Sequence, residues 1–370
     1  MAETQLPLTI LHAAETIRGG IATYFNELHP LQRETFKLVH YVVPADHRSE
    51  LVEIDDRYVS LFGRTGRNFA SLFRLARQTV AEVRRLKPDI VHIHSTFAGL
   101  VLRPILIFMP SRPKIVYCPH GWAFSRQTSR VSTFATGLFE RLLALRTDRI
   151  ICVSNDEYRA AQRAGISDKR LSLVVNGLST TRKKATQSKS TWNSDRLKVL
   201  FVGRLDRQKG YDLLIEAAEM LKNLADIRMI GSPVVNSRER IQLPGNVRML
   251  GWLDRKEIEI QLDLADLTVI PSRWEAFGFV ALEAMRAKKA IVAFRAGALP
   301  EIVEDGVTGI ICQPLSASAL RDGLVKATEL NLPEMGMRGS ARFTKYFSIE
   351  STHAALAEVY VTTMKKKAPL

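Results

Sequence analysis

The segment around Glu275 carries the residues with the clearest chemical potential in this 370-residue chain. It reads TVIPSRWEAFGFVALEAM: an apolar strand-like run ends at Ile270, a loop carries Glu275, and a helix is predicted to begin near Gly278. Glu283 follows Glu275 by eight residues, which places it in the first turns of that helix. Two such carboxylates can accept hydrogen bonds from hydroxyl groups, and the free amides of residues 277–280 can bind phosphate oxygens. The alternative is structural, with Glu275 as a cap and Glu283 as a partner of the helix dipole.

A pair of cations stands in the segment KVLFVGRLDRQKGYDLLIEA. The predicted strand ends at Gly203, Arg204 follows it, and Lys209 and Gly210 come directly before the next predicted helix. Arginine offers a planar fork of donors and lysine a point charge, a combination suited to gripping a diphosphate. Taken alone, the two residues could also be solvated surface cations.

Glycines and histidines follow predicted strands in the first half of the chain. Gly19 and Gly20 come after the first strand, where bare amides can approach an anion, although many such turns use glycine only for its backbone freedom. His120 follows a later strand in the segment CPHGW. His92 and His94 share one strand face and could ligate zinc, but no third ligand stands at metal spacing, so a packed or hydrogen-bonded pair is predicted.

Together these segments resemble glycosyltransferase family 4 of the GT-B superfamily. The resemblance rests on the glycine pair and on the E-x7-E segment after GRLDRQKG, and it extends along nearly the whole chain. Further motifs are VSN at 153–155, VVNGL at 174–178, VRMLGWL at 247–253 and GALPEIVEDGVTG at 297–309. The family implies a hexosyltransferase-type enzyme that transfers a sugar, with retention, from a nucleotide-diphosphate sugar (a UDP- or GDP-sugar). Its expected setting is bacterial exopolysaccharide or lipopolysaccharide biosynthesis.

The resemblance also implies a role for each matching residue. Arg204 and Lys209 would hold the donor diphosphate, Glu275 would contact the donor sugar, and Glu283 the ribose hydroxyls. His120 resembles the active-site histidine, although many relatives carry His-Asp where glycine follows it here. The implied catalytic set is therefore His120, Glu275, Arg204 and Lys209. The other implied substrate-binding residues are Gly19 and Gly20 near phosphate or acceptor, Met249 and Leu250 at the base, and Ala276, Phe277, Gly278, Phe279 and Val280 around the phosphates.

The resemblance implies no resident cofactor, because the nucleotide sugar is itself a substrate. It also implies an enzyme that needs no metal. The chain has no D-x-D motif, which metal-bridged sugar transferases of the other large fold usually carry. It also lacks G-x-G-x-x-G and G-x-x-x-x-G-K-[ST], so NAD and P-loop chemistry are not expected.

The elements that must position these residues alternate between strand-like and helix-like patterns, which predicts the α/β class with two parallel sheets. We expect two Rossmann-like domains facing a central cleft, with ligands at the carboxyl ends of the strands.

The polar, basic segment after residue 178 is predicted to be an exposed linker or mobile loop. The predicted strands lie at 8–11, 38–43, 90–94, 114–118, 149–153 and 171–175, and then at 198–202, 227–231, 247–250, 267–270, 290–293 and 309–312. The predicted division is an acceptor-binding domain at 1–178, a linker at 179–196, a nucleotide-sugar-binding domain at 197–345, and a helix within 346–370 that returns to the first domain.

The net charge of +15 is concentrated in the first half of the chain. Between Arg57 and Arg149 sixteen basic residues face four acidic ones, which predicts a polyanionic partner: nucleic acid, an anionic membrane or a phosphorylated substrate. A helix over 67–86 is predicted to be amphipathic, which favours an anionic bilayer or lipid diphosphate over an ordinary outer helix. Its predicted apolar face comprises Phe69, Leu72, Phe73, Ala76, Val80 and Val83, and its flanking cations are Arg74, Arg77, Arg84 and Arg85.

These features predict a cytoplasmic enzyme bound peripherally at the inner face of the membrane, with a lipid-linked saccharide as acceptor. No signal-peptide layout and no apolar run of transmembrane length are present. The thiols of Cys118, Cys152 and Cys312 are expected to be buried and reduced. Two rival classes are a nucleic-acid-binding protein, for which no reading motif is present, and a silent nucleotide-sugar sensor, which need not keep His120 and Glu275.

Overall fold

The computed structural model describes residues 5–125, 129–182, 191–232 and 242–365. Its contacts divide the chain into two compact units. Unit 1 comprises Met1–Leu178 and Ile349–Leu370, and unit 2 comprises Ser179–Ser348. Each unit has its own parallel sheet, so the two are described separately below.

Unit 1 contains a seven-stranded parallel sheet with the order β3-β2-β1-β4-β5-β6-β7. The chain winds outward from β1 in one direction and resumes on its other side with β4, so the switch point lies between these two strands. The strands are β1 (Leu6–Ala14), β2 (Phe36–Pro44), β3 (Val59–Phe62), β4 (Ile90–His94), β5 (Lys114–Cys118), β6 (Arg149–Cys152) and β7 (Leu171–Leu173). The helices are α1 (Gly20–Thr35), α2 (Phe69–Leu86), α3 (Thr96–Ile107), α4 (Arg130–Ala144), α5 (Asn155–Arg163) and, from the end of the chain, α12 (Ile349–Lys365).

Unit 2 repeats the same winding on a six-stranded parallel sheet with the order β10-β9-β8-β11-β12-β13. Its switch point lies between β8 and β11. The strands are β8 (Leu197–Val202), β9 (Ala225–Ile230), β10 (Val247–Gly251), β11 (Leu267–Ile270), β12 (Ala290–Phe294) and β13 (Gly309–Cys312). The helices are α6 (Tyr211–Glu219), α7 (Arg255–Leu264), α8 (Phe279–Arg286), α9 (Leu299–Ile302), α10 (Ala317–Ala327) and α11 (Leu332–Tyr346).

The sequence pattern missed β3, which makes a seventh strand in unit 1 where six were predicted. This edge strand is only four residues long and pairs with β2 alone. It follows the polar run Asp55-Asp56-Arg57 and contains Ser60, whose hydroxyl bonds His40 at 2.8 Å and Glu82 at 2.9 Å. Polar partners therefore replace the apolar alternation by which a strand is normally recognised.

The prediction that residues 179–196 form an exposed linker is wrong in one respect, because the described ends of this segment pack on unit 2. The guanidinium of Arg182 pairs with Asp263 at 2.5 Å. Trp192 is buried, and the guanidinium of Arg228 lies 4.3 Å from the centre of its ring. A cation over an indole face is attracted by the ring's quadrupole, so this contact holds the end of the polar segment in a defined position. The middle of the segment lies outside the described residues.

The last helix, α12, packs in unit 1 against α1. The imidazole of His353 bonds the Thr35 hydroxyl at 3.1 Å, and the hydroxyl of Tyr360 bonds His92 at 2.7 Å. Unit 2 ends with α11, which continues to Tyr346, one residue past the predicted domain boundary.

The inward face of α2 differs from the predicted apolar face. Phe69 and Phe73 are exposed. The residues that α2 buries are Ser71, Leu75, Ala76, Thr79, Glu82 and Val83. Polar contacts set this rotation, because Ser71 accepts the Thr65 amide and Glu82 accepts the hydroxyl of Ser60 on β3.

Two further features of the chain concern its thiols and its helices. The three cysteines are buried free thiols, as predicted. In the described parts of the chain, no helix combines the length and the apolar character that crossing a bilayer requires.

Candidate active site

The predicted donor-site residues of unit 2 lie at the carboxyl ends of β8 and β11, the two strands that flank the switch point. Arg204 and Lys209 belong to the turn between β8 and α6, and Glu275 belongs to the loop between β11 and α8. Ligands of doubly wound sheets bind at this position, because the two chain directions leave a crevice there.

Backbone and side-chain contacts fix the β8–α6 turn. The Arg204 guanidinium bonds Gln208 at 2.9 Å and pairs with Asp206 at 3.0 Å. The amide of Lys209 donates to Asp206 Oδ1 at 3.0 Å. The carbonyl of Gln208 in turn accepts the amide of Arg273 at 2.8 Å, which ties this turn to the β11–α8 loop.

The structure brings Lys209 and Glu275 together as an ion pair, with 2.5 Å between Nζ and Oε2. The same carboxylate oxygen accepts the hydroxyl of Ser272 at 3.2 Å. Both side chains are mostly buried, so water screens the pair less than it would at a surface. The ammonium group of Lys209 is therefore held in one position at the end of β8.

Two glycines allow the loops of this site to approach each other. Gly210 has φ +66°, and a Cβ there would lie 1.9 Å from the carbonyl oxygen of Pro271. Gly297 has φ +53°, and a Cβ there would lie 1.7 Å from the carbonyl oxygen of Glu275. No side chain fits at either distance, so both contacts require glycine.

The remaining predicted residues of unit 2 fall into two groups. The segment 276–280 caps and begins α8, with Gly278 at the N-cap in the left-handed region and Phe277 buried beside it. Glu283 lies in the second turn of α8 and is half-buried. Met249 and Leu250 are half-buried on the edge strand β10, which β9 separates from β8.

In unit 1 the predicted residues also follow the central strands. Gly19 and Gly20 are exposed at the start of α1, and Gly19 has φ +86° with nothing within 4 Å of a Cβ placed there. His120 comes two residues after the end of β5 and adopts φ +49°, a left-handed conformation that costs energy for any residue with a side chain. Contacts that hold such a residue must offset that cost.

The His92–His94 interpretation needs one correction, because a third histidine joins them. In the register of β1 and β4, His12 lies opposite His92, and ring nitrogens of His12, His92 and His94 all lie within 4.8 Å of one another. Two of these nitrogens, His12 Nδ1 and His94 Nε2, are hydrogen-bonded to each other at 2.9 Å. His94 Nδ1 bonds His120 Nε2 at the same distance. No sequence signal near residues 92–94 identifies His12, because β1 and β4 are neighbours only in the folded sheet.

Glu157 holds the loop that carries His120. Its carboxylate accepts the amide of Gly121 at 2.5 Å and that of Val153 at 2.9 Å, and its own amide bonds the N-cap Ser154. Burial raises the pKa of Glu157 from 4.5 to about 7, and the two amide donors offset only part of that effect. Sequence reasoning missed Glu157, because the sequence shows it only as part of a helix start.

We predict that Glu157 makes the folded state less stable as pH rises. Between pH 4.5 and about 7 the folded protein keeps the proton that the unfolded chain has lost, so stability falls as pH rises through this window and is constant above it. The wild type should therefore lose about 3 kcal/mol of unfolding free energy across the window relative to Glu157→Gln, which does not titrate. Denaturant unfolding of both proteins at several pH values measures this difference, and a pH-independent difference would contradict it.

Comparisons with known proteins find two family models along the chain. The family model Glycosyltransferase Family 4 matches residues 18–182, and Glycosyl transferases group 1 matches residues 182–342. An uncharacterized 41.2 kDa protein in the cps region of Klebsiella pneumoniae is 35% identical over 315 residues, or 82% of this chain and 86% of that protein. An uncharacterized glycosyltransferase of Methanocaldococcus jannaschii is 28% identical over 279 residues, or 74% of this chain and 75% of that protein.

Solved structures share the fold along nearly the whole chain. Sucrose-phosphate synthase of Thermosynechococcus elongatus superposes with a TM-score of 0.79 at 17% identity, covering 97% of this chain and 100% of its own. Anabaena HepE in complex with UDP-glucose superposes with a TM-score of 0.77 at 19% identity, covering 96% and 100%. With two family models that meet at residue 182 and two doubly wound parallel sheets, the chain belongs to glycosyltransferase family 4 and has the GT-B architecture.

Proposed function

We propose that this glycosyltransferase moves a sugar, with retention and without a metal, from a nucleotide-diphosphate sugar to a lipid-linked saccharide in surface-polysaccharide assembly. The observation that carries the proposal is the placement of Arg204, Lys209 and Glu275 at the carboxyl ends of β8 and β11. The UDP-glucose complex of Anabaena HepE supports a nucleotide-sugar donor. The relative from a cps region supports the polysaccharide setting.

The donor site would act mainly through charge. Cleavage of the sugar–phosphate bond places negative charge on the departing diphosphate, and Lys209 and Arg204 are cations next to that position. Because Glu275 already holds the Lys209 ammonium in place, little reorganisation is needed when the charge develops. The amides that begin α8 at Phe279 and Val280 would add donors to the phosphate oxygens.

The anomeric configuration of the sugar is retained most simply if the acceptor attacks the face of the sugar from which the diphosphate leaves. A diphosphate oxygen would then accept the proton of the acceptor hydroxyl, while the new glycosidic bond forms and the sugar–oxygen bond to phosphate breaks. The protein would supply orientation and charge stabilisation, with no obligatory side-chain base.

Donor hydrolysis with UDP- and GDP-sugars tests the reaction, its stereochemistry and its metal requirement together. We expect release of the nucleoside diphosphate, the anomer of the donor in the first-formed product, and unchanged activity in EDTA. The inverted anomer would contradict the retaining mechanism. Complete loss on chelation, restored by Mg²⁺ or Mn²⁺, would contradict metal independence.

The outer face of α4 supports the membrane part of the proposal. Its inner face is fixed by Glu140, whose carboxylate pairs with the fully buried guanidinium of Arg103 at 2.6 Å and accepts the Tyr117 hydroxyl at 3.2 Å. The helix therefore cannot rotate its opposite face inward without breaking a buried ion pair. That face carries apolar side chains that are 46% to 79% exposed: Val131, Phe134, Leu138, Leu142 and Leu145.

The spacing of these residues, three or four apart, makes a continuous stripe along one side of α4. Arg141 and Arg146 are exposed near its end, and α2 adds exposed Phe69 and Phe73 beside its own arginines. Apolar stripes flanked by cations are typical of helices that lie at an anionic bilayer surface. Unit 1 would thereby meet an acceptor that is anchored in lipid.

We predict that the protein binds vesicles containing anionic lipid and is released by high salt. Each cation at such a surface contributes about 1 kcal/mol, and this attraction fades beyond a Debye length of roughly 8 Å at physiological salt. The double substitution Phe134→Ser and Leu138→Ser should weaken vesicle binding at least about tenfold, because it removes apolar area that would insert. Co-sedimentation with vesicles measures both effects.

The control for this experiment is Met337→Ser, which changes an exposed apolar residue on α11 of unit 2. It should bind vesicles like the wild type, and all three proteins should hydrolyse donor equally. A wild-type protein that ignores anionic vesicles at low salt would contradict the membrane proposal while leaving the donor chemistry untouched.

A further inference from the structure

A run of hydrogen-bonded side chains crosses the core of unit 1 and ends at His120. Gln32 Oε1 lies 3.2 Å from His12 Nε2, His12 Nδ1 lies 2.9 Å from His94 Nε2, and His94 Nδ1 lies 2.9 Å from His120 Nε2. Gln32, His12 and His94 are buried, and His120 is half-buried. The run begins on α1, passes through β1 and β4, and reaches the loop after β5.

The imidazoles in this run are neutral at physiological pH. Burial lowers the pKa of His12 to about 3 and that of His120 to about 3, and burial with neighbouring histidines holds the pKa of His94 well below its ordinary value. A neutral imidazole carries one N–H and one lone pair. Each hydrogen bond along the run therefore has a single donor, and the direction of one bond determines the next.

Gln32 sets that direction, because the oxygen at the start of the run can only accept. The hydroxyl of Tyr41 donates to the same oxygen at 3.4 Å. His12 must then donate from Nε2 and accept at Nδ1, His94 must do the same, and His120 must donate from Nε2. The remaining ring nitrogen, His120 Nδ1, is left with a lone pair.

We propose that Gln32, His12 and His94 are positioning residues that fix His120 in the Nε2–H tautomer, so that Nδ1 can accept a hydrogen bond from a substrate hydroxyl. The tautomer follows from the hydrogen-bond run itself. The use of Nδ1 by a substrate rests on the proposed function. The run also holds His120 in its left-handed conformation, together with the bond from the Gly121 amide to Glu157.

A metal held by His12, His92 and His94 is the competing interpretation of the same cluster. Such a metal would need the lone pairs of His12 and His94, whose facing nitrogens are already bonded to each other. His92 does not decide between the two interpretations, because its Nδ1 is bonded to the hydroxyl of Tyr360 at 2.7 Å while its Nε2 has no hydrogen-bond partner among the described residues. The observed hydrogen bonds therefore favour the run over the metal.

Long-range ¹H–¹⁵N NMR of the full-length protein with labelled histidines tests the tautomer directly, because protonated and bare ring nitrogens resonate far apart. We expect a bare Nδ1 on His120, with its signals assigned by comparison with His120→Asn. A protonated Nδ1 on His120 in the wild type would overturn the proposal. So would a stoichiometric metal in the protein as purified, with these histidines as its ligands.

The variant Gln32→Leu removes the acceptor that sets the direction, so His120 should become partly or wholly protonated at Nδ1. Gln32→Glu keeps an acceptor and should restore the wild-type tautomer. Thr79→Val, which removes a buried hydroxyl of unit 1 outside the run, should leave the His120 signals unchanged. Unchanged His120 signals in folded Gln32→Leu would contradict the role of Gln32.

The kinetic readout separates this proposal from the proposed function. Gln32→Leu should lower kcat about tenfold, the size of one hydrogen bond, with an unchanged KM for the donor and with recovery in Gln32→Glu. An equal loss in Gln32→Leu and Thr79→Val would indicate general core damage and overturn the positioning role. If the wild type transferred no sugar, the proposed function would fail, and the NMR result would still decide the tautomer.

Discussion

Replacing Lys209 or Arg204 with alanine is expected to lower turnover about 10²- to 10³-fold, because under the proposed function both cations would stabilise charge on the leaving diphosphate. Lys209 is held at the end of β8 by Glu275, and Arg204 is held in the same turn by Gln208 and Asp206. A preorganised cation contributes most in the transition state, so kcat should fall more than KM rises. Steady-state donor hydrolysis measures both constants.

The matched control is Arg207→Ala, which removes an exposed cation from the same turn. It should retain nearly full turnover, because its side chain is exposed to solvent. Near-normal turnover in both the Lys209 and Arg204 variants would remove these residues from the site. A loss in Arg207→Ala as large as theirs would show that any charge change in this turn disrupts it.

The substitution Gly297→Ala is expected to reduce kcat/KM about 10²-fold, although it changes no polar or charged group. A Cβ at this position would lie 1.7 Å from the carbonyl oxygen of Glu275, a distance no real contact tolerates. The loop that carries Glu275 must therefore shift, and the ion pair with Lys209 must shift with it. Misplacement of catalytic groups by about 1 Å is enough for a loss of this size.

The control variant Gly306→Ala separates the effect of the steric clash from the effect of backbone strain. Gly306 also has a positive φ, +75°, but nothing lies within 4 Å of a Cβ placed there. Both variants pay the cost of a left-handed residue with a side chain, about 1 kcal/mol, and only Gly297→Ala should lose activity. Equal activity of the two folded variants would contradict the importance of the contact between the two loops.

The strands of both units could be predicted because buried parallel strands are short apolar runs between turn residues. Residues 267–270 and 290–293, for example, are apolar almost throughout, and the structure makes them β11 and most of β12. The edge strand β3 and the inward face of α2 escaped prediction for one shared reason. Ser60 and Glu82 contact each other inside the fold, and a hydrophobicity pattern assigns such residues to the surface.

The candidate site likewise contains residues that the sequence indicates and contacts that it does not. Arg204, Lys209 and Glu275 could be proposed as site residues because each follows a recognisable strand, within a motif that the family resemblance interprets. The ion pair of Lys209 with Glu275 could not be predicted, since it joins loops 66 residues apart. His12 and Gln32 carry no motif, and their importance depends on which strands become neighbours in the sheet.

The most direct test of the central claim is a thermal-shift titration of the wild type and Lys209→Ala with UDP- and GDP-sugars, followed by donor hydrolysis. At 100 times its dissociation constant a donor adds about 2.7 kcal/mol to the stability of the protein that binds it. We predict stabilisation of the wild type by a nucleotide sugar of one base, release of the nucleoside diphosphate, and loss of turnover in Lys209→Ala. A wild type that binds a nucleotide sugar but never cleaves it would be a sensor rather than an enzyme, and a wild type that binds none would contradict the account.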